Sequence, residues 1–269
     1  MATELEDWRG LVRGRIDAHD GLVVDMPLAP SPTGGSGTFL AVASDRQRWW
    51  VKPLNNLQGP MVTVTEQLVG RAGALIGAPV CDVALVLIPS ELVGWEFRHD
   101  AKLEAGLAHA SLAVDDALEV RQLEYRDRDD NRRRHAGVVA LYDWCWGQDD
   151  QWLHCESDDR RLYSHDHGMY LPNGPAWSAA SLIANVAEPH LPGYPTSGLD
   201  GAALTDYAKR LEEITRDDIV ALLSAVPASW PVSDQDLEAL GYFLERRAPT
   251  VAARLRALYH TLQLMEGAP

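Results

Sequence analysis

The stretch Gly34–Lys52, GGSGTFLAVASDRQRWWVK, decides the fold. Two short apolar runs, Thr38–Ala43 and Arg48–Lys52, flank the polar turn Ser44–Arg46, a spacing that predicts a β-hairpin. The glycines ahead of it would let the backbone approach phosphates and aim N–H groups at them. Lys52, at the end of the second run, would return beneath such a loop and meet the same phosphates. A plain glycine-rich hairpin turn accounts for the same residues. It is not a Walker loop, because no Gly-Lys-Ser/Thr follows the glycines and no helix opens there. Ordering glycines costs entropy, so Ser31–Gly37 is expected to be poorly contacted when no ligand holds it.

Working outward, residues 4–20 read as a short helix with Trp8, Leu11 and Val12 on one side. After the hairpin, Val62, Val64, Leu68, Val69, Ala72, Leu75 and Ile76 recur at helical spacing, ended by Gly77 and Pro79. Glu66 falls inside that helix. A lysine that holds phosphates works best when a carboxylate orients it, although most helical glutamates simply face solvent. Residues 80–89 (VCDVALVLIP) read as a buried strand. Residues 101–146 and 201–265 read as mainly helical, with stops at Pro227, Pro231 and Pro249. The fold class expected is therefore α+β, with a small β-rich lobe over 1–90 and a larger helical lobe over 91–269.

Composition narrows the function. The chain has 269 residues, 46% of them apolar, and 39 acidic against 24 basic side chains, a net charge of −15. Such a surface repels polyphosphate backbones and anionic membranes, so no direct nucleic-acid or membrane partner is expected. The start, MATELEDW, lacks the apolar segment of a secretory signal. The longest near-continuous apolar run, Val83–Pro89, is too short to cross a bilayer. Three cysteines, Cys81, Cys145 and Cys155, form no Cys-x-x-Cys pair, which suits a reducing cytoplasm.

The chemistry concentrates in Tyr142–Gly168, YDWCWGQDDQWLHCESDDRRLYSHDHG. Asp149 and Asp150 follow a helical stretch, and Asp166 follows the short strand Arg161–Ser164 in an Asp-x-Gly setting. Phosphoryl transfer needs one carboxylate near the attacking hydroxyl and another on the metal bridging the phosphates. A different reading takes His154, His165, Asp166 and His167 as transition-metal ligands, since His165 and His167 on a strand would point the same way. No further ligand stands at a familiar spacing. Trp144, Trp146 and Trp152 either wall off this site or fill a core. The charged run Glu124–His135 reads as a solvated loop with mutually neutralising charges.

Taken together, GGSGTFLAVASDRQRWWVKPLNNLQGPMVTVTEQLVGRAGALIGAPV resembles the small lobe of the HipA-like kinase family, where a glycine loop precedes a hairpin ending Val-Lys. Ile76–Val80 is similar to that family's Leu-Gly-x-Pro-Val turn. YDWCWGQDD and LYSHDHG are similar to its Phe-Asp-x-Trp…Asp segment and its Asp-His-Gly motif. The resemblance implies a two-lobed protein-kinase-like fold with ATP and Mg2+ between the lobes; the leading function expected is phosphorylation of a hydroxyl on a protein or peptide. Gly34, Gly35 and Gly37 would cover the phosphates. Lys52, oriented by Glu66, would hold them, and Leu87 and Ile88 would approach the adenine. Asp150 would be the catalytic-loop aspartate and Asp166 the principal metal ligand. Where the family has Asp-Arg and then an asparagine, this chain reads Asp150-Gln151-Trp152-Leu153-His154-Cys155, leaving Gln151 as the substitute metal ligand. Three functions compete: a kinase acting on a hydroxyl, a nucleotide-binding pseudokinase acting through a partner, and a histidine-metal hydrolase.

Overall fold

The computed structural model describes residues 4–32, 35–98, 101–193 and 196–266. The hairpin forms where the alternation places it, as β2 (Phe39–Ala43) and β3 (Arg48–Lys52), with Phe39 opposite Val51. β1 (Leu22–Pro30), β2, β3, β7 (Gly106–Leu112) and β4 (Val83–Ile88) close into a barrel, β1 and β4 making the parallel seam. Phe39, Ala41, Val51, Val86, Ile88 and Phe97 fill its core. β5 (Glu96–Arg98) and β6 (Ala101–Lys102) form a small ribbon beside it.

Between β3 and β4 runs α1 (Pro60–Ile76), opened by a proline in its first turn and closed on a left-handed Gly77. Its apolar face, with Val64, Leu68, Val69, Ala72 and Ile76, belongs to the core of the helical part rather than to that of the barrel. That core is built from α2 (Asn131–Trp144), α3 (Ala179–Asn185), α4 (Gly201–Glu213), α5 (Arg216–Ser224) and α6 (Asp234–Glu266). A third sheet, β8 (Ala117–Val120), β9 (Trp152–Cys155) and β10 (Arg161–Ser164), stands between barrel and helices.

Several expectations change. Residues 101–120 form β6, β7 and β8, not helix. Although Ala and Leu favour helix, β7 is bonded on both sides, to β3 and β4, and tertiary pairing overrides a weak local preference. The barrel thus extends to Leu112, past the boundary expected at residue 90. Pro249 lies inside α6 and does not stop it. Ala248, Val251 and Ala252 are buried around it, and this packing holds the helix together across the proline.

Only Leu5–Trp8 of the first segment is helical, a single 3-10 turn. After a turn over 9–12 the chain runs on without regular structure to residue 20, as a strap from the helical part to the barrel. Trp8 is fully buried in the helical core, its indole N–H donating to Glu245 Oε2 at 2.7 Å. Arg15 donates to the carbonyls of Pro227 and Val232, and Asp17 accepts from the Ser229 amide. Asp20 reaches the barrel side, accepting from the Leu85 amide at 2.7 Å and from Arg71. These long-range bonds replace the intrahelical ones a helix over 4–20 would have made.

Candidate active site

Lys52 ends β3 with its side chain only 5% exposed, and α1 brings Glu66, 4% exposed, directly to it. The ammonium donates to Glu66 Oε1 and, at 2.9 Å, to Asp166 Oδ1. Asp166 follows β10 in the left-handed region (φ 54°) and keeps a third of its side chain in solvent. Glu66 Oε2 accepts the His167 amide at 2.8 Å, so α1 and the turn after β10 are tied at one carboxylate. Gly168 is where that turn meets α1: a Cβ there would lie 2.4 Å from Val62 and 3.2 Å from Glu66 Oε1. The glycine of Asp-His-Gly is a requirement of close approach.

One cation faces two carboxylates in a dry setting. Burial pushes the Lys52 ammonium toward neutrality, but Glu66 and Asp166 more than offset this and its pKa rises. Burial also favours a neutral Asp166, yet Lys52 and its hydrogen bonds hold that carboxyl well below the usual range. Glu66 is pushed up, by burial first and by the neighbouring Asp166 charge, against the pull of Lys52.

Three supports fix β10 and hence Asp166. Ser164 bridges to Val80, with Ser164 N–H donating to the Pro79 carbonyl at 2.6 Å. Its hydroxyl meets His167 Nε2 at 2.8 Å. Asn131, fully buried at the start of α2, donates to the Tyr125 and Arg160 carbonyls and accepts from the Leu162 amide. Nothing in the charged run marked Asn131 as such a junction. His109 is equally silent in the sequence, yet β7 sets it opposite Lys52 in the ladder.

Asp150 is half-buried on the loop after α2. Its carboxyl is raised by burial first and by Asp149 second, while a hydrogen bond with Tyr142 works the other way. Asp149 is exposed and accepts from Gln151 Nε2 at 2.6 Å. Burial lowers His165, against the opposing charges of Asp166 and Asp149. Cys155, at the end of β9, is buried and donates to the Asp115 carbonyl.

The family profile described as HipA-like kinase matches residues 26–165. The chain belongs to the HipA-like kinase family. The match takes in Lys52, Glu66 and Asp150 and ends one residue before Asp166. Among solved structures, this HipA-like chain is similar to the Helicobacter pylori proinflammatory kinase CtkA, at 12% identity and a TM-score of 0.51, covering 89% of this chain and 97% of that one. It is also similar to the Golgi casein kinase, at 8% identity and a TM-score of 0.48, covering 96% and 75%. The first likeness carries the kinase-like fold. No curated protein matches the sequence.

The other residues expected at the site of this HipA-like chain stand in mixed settings. Gly34 lies outside the described residues. Gly35 is exposed, but Ser36 and Gly37 are buried, contrary to the poorly contacted loop expected. Gly37 sits at φ 80° against Phe97 and Leu57, and the Ser36 carbonyl accepts the Leu57 amide at 2.9 Å. Ile88 turns its side chain into the barrel core, so only its backbone is left to meet a base, whereas Leu87 is partly exposed. The histidines disperse: His154 faces the Arg160 carbonyl and the Tyr125 ring, and His167 faces Ser164. Among the described residues no three His, Cys, Asp or Glu side chains gather as a metal cluster. Trp144 and Trp152 are fully buried and serve the core. Among the described residues no helix is long and apolar enough to cross a membrane.

Proposed function

We propose that this chain transfers the γ-phosphoryl group of ATP to a hydroxyl of a protein or peptide, with Mg2+ as the metal. The observation that carries the reading is the buried Lys52–Glu66 pair joined to a partly open Asp166. Mg-ATP fits these donors: Asp166 offers a carboxylate with solvent-facing surface, a hard oxygen ligand suited to magnesium. The Gln151 amide oxygen is the second ligand, since its nitrogen is engaged by Asp149. When bound, Mg-ATP supplies the phosphoryl group and the charge neutralisation that the metal provides.

The side chains do the rest. Lys52 holds the phosphates, and Glu66 fixes its direction. Gly35 and Gly37 bring backbone to the phosphates, and the Leu87–Ile88 backbone borders the base. Asp150 takes the proton of the acceptor hydroxyl as that oxygen bonds to phosphorus and the bond to the β-phosphate oxygen breaks. Positioning and electrostatics supply most of the barrier lowering.

Asp166→Asn is the decisive variant. It is expected to abolish phosphoryl transfer and magnesium-dependent nucleotide binding, while His165→Ala retains both. A fully active Asp166→Asn overturns the reading. The absence of any asparagine between Asp150 and Asp166 favours one second reading, a nucleotide-binding pseudokinase that works through a partner. A thermal shift with nucleotide but no phosphate transferred, in the presence of cell extract, would select it.

A further inference from the structure

The three-stranded sheet that leads into the candidate site has two edges, and they are finished differently. On the β10 edge the Leu162 amide donates to Asn131 Oδ1 at 3.0 Å. The Ser164 amide donates to the Pro79 carbonyl at 2.6 Å, and the Ser164 carbonyl accepts from the Cys81 amide at 3.2 Å. That edge is covered. β8 forms the other edge. Glu156 donates its amide to the Asp116 carbonyl at 2.9 Å, which sets the phase of the antiparallel ladder between β8 and β9. Leu118 and Val120 therefore bond to β9, while the N–H and C=O groups of Ala117 and Glu119 point outward. Among the described residues no hydrogen bond reaches those four groups, and Ala117, Leu118 and Glu119 are exposed.

The open edge ends beside the candidate site. Val120 stands opposite Trp152, and Trp152 opposite Ser164, so one row crosses the whole sheet. Past that row the chain of β9 leads back to Gln151 and Asp150, and that of β10 leads on to His165 and Asp166. Trp152 is fully buried in the helical core, and Val120 packs against the same core. Glu119 is on the opposite face, in register with Leu153 and through it with Tyr163. A short edge strand carrying a charge resists indiscriminate pairing, so a segment that adds to β8 has to be matched to it. On a chain of net charge −15, the match to Glu119 is a basic side chain placed opposite it.

We propose that β8 is the docking edge for the phosphate acceptor: an extended, basic peptide adds as a fourth strand, bonded to the outward N–H and C=O groups of Ala117 and Glu119, and passes its serine or threonine to Asp150. The inference rests on the kinase reading. Main-chain bonds to a sheet edge supply affinity, and the alternate side chains supply selection. Neighbouring strands lie about 4.8 Å apart, so the added strand runs about 10 Å from the line of β9. About three residues of extended chain cover that gap. The acceptor hydroxyl thus lies beyond the paired stretch, a few positions from the residue that faces Glu119.

The full chain is tested with labelled Mg-ATP and short peptides that carry a fixed serine among randomised positions. Hydrolysis of ATP by water, nucleotide affinity and thermal midpoint are read in parallel. The wild type is expected to favour lysine or arginine at a position a few residues from the serine. Glu119→Pro removes one outward N–H and spares the ladder to β9, since proline is tolerated on an edge where its N–H would face solvent. It is expected to lower peptide phosphorylation about tenfold or more, roughly what one or two backbone hydrogen bonds carry. Water hydrolysis and nucleotide affinity are expected to stay at wild-type levels. Glu119→Lys keeps the N–H and reverses the charge, so it is expected to phosphorylate the mixture while losing the preference for basic residues. Wild-type peptide phosphorylation in Glu119→Pro, with the basic preference intact in Glu119→Lys, overturns the proposal. So does a loss in both variants matched by equal loss of water hydrolysis or thermal stability. A wild-type dimer that Glu119→Pro converts to monomer overturns it too, since a second copy then covers the edge. Nucleotide bound but no peptide phosphorylated ends the docking edge alone. No nucleotide bound by the wild type ends the kinase reading itself, and the docking edge with it.

Discussion

Lys52 is a single positive charge shared by two carboxylates, and removing it exposes what it compensates. In Lys52→Met, Glu66 and Asp166 stay close together with no cation between them. Breaking a buried pair on one side costs about 3–5 kcal/mol, so the variant is expected to unfold at markedly lower denaturant at neutral pH. The sign of its pH dependence follows. Carboxylates without Lys52 have raised folded-state pKa values, so proton uptake favours the native state and part of the loss is recovered on acidification. Denaturant midpoints at pH 8 and pH 5, compared with the wild type, check this. No recovery at pH 5 would mean that the two carboxylates separate when Lys52 is lost. Gly37 gives a simpler case. At φ 80°, with a Cβ 2.9 Å from Phe97 Cε2, Gly37→Ala is expected to cost on the order of 1–3 kcal/mol. A thermal midpoint equal to that of the wild type would mean that the loop is not held as described.

At the scale of elements, α1 is bolted to the helical part at both ends. Trp177 donates its indole N–H to Thr65 Oγ1 at 2.9 Å, one residue from Glu66. From α4, the Tyr207 hydroxyl donates to the Gly77 carbonyl at 3.1 Å and Arg210 to the Ile76 carbonyl at 3.0 Å, satisfying carbonyls that a helix end leaves unpaired. Trp177→Phe removes one bond and keeps most of the ring. It is expected to cost about 0.5–1.5 kcal/mol of stability and to weaken nucleotide binding several-fold by loosening Glu66, as calorimetry and nucleotide titration would read. Unchanged nucleotide affinity would show that Glu66 is held by Lys52 and the His167 amide alone.

The hairpin, α1 and β4 were legible because each has a clean period and a clear stop. The pairing of β7 with β3 and β4 was not, since Ala-rich AGLAHASLA has no alternation that distinguishes a doubly bonded strand from a helix. Within the site, Lys52, Glu66 and Asp166 were legible by residue type and order. His109 and Asn131 were not, because their roles depend on partners 42 and 31 positions away, at Gln67 and Leu162.

Across the described residues, burial holds several histidines neutral. Burial, first of all, lowers His109 and His154 and pushes His135 and His167 down to about 3 and His165 to about 4. In the unfolded chain each titrates near pH 6.5. Their contribution is therefore intact above that pH and is lost as the pH falls toward the folded values, because the unfolded state binds the extra protons. Each adds a slope of up to about 1.4 kcal/mol per pH unit. Thermal midpoints are thus expected to drop by many degrees between pH 7 and pH 5. A flat profile over that interval would contradict the burial of these rings.

The strap has a consequence for how the chain is made. Trp8 leaves the ribosome 237 residues ahead of Glu245, which its indole bonds. At 5–20 residues per second, tens of seconds pass before that partner is synthesised. During that interval the barrel strands and α1 can assemble, while the first segment waits without its seat in the large core. The tryptophan is thus enclosed only after a partner 237 residues further along has been made. Chains arrested before α6 should leave Trp8 open to an aqueous quencher, and chains extended through α6 should shield it.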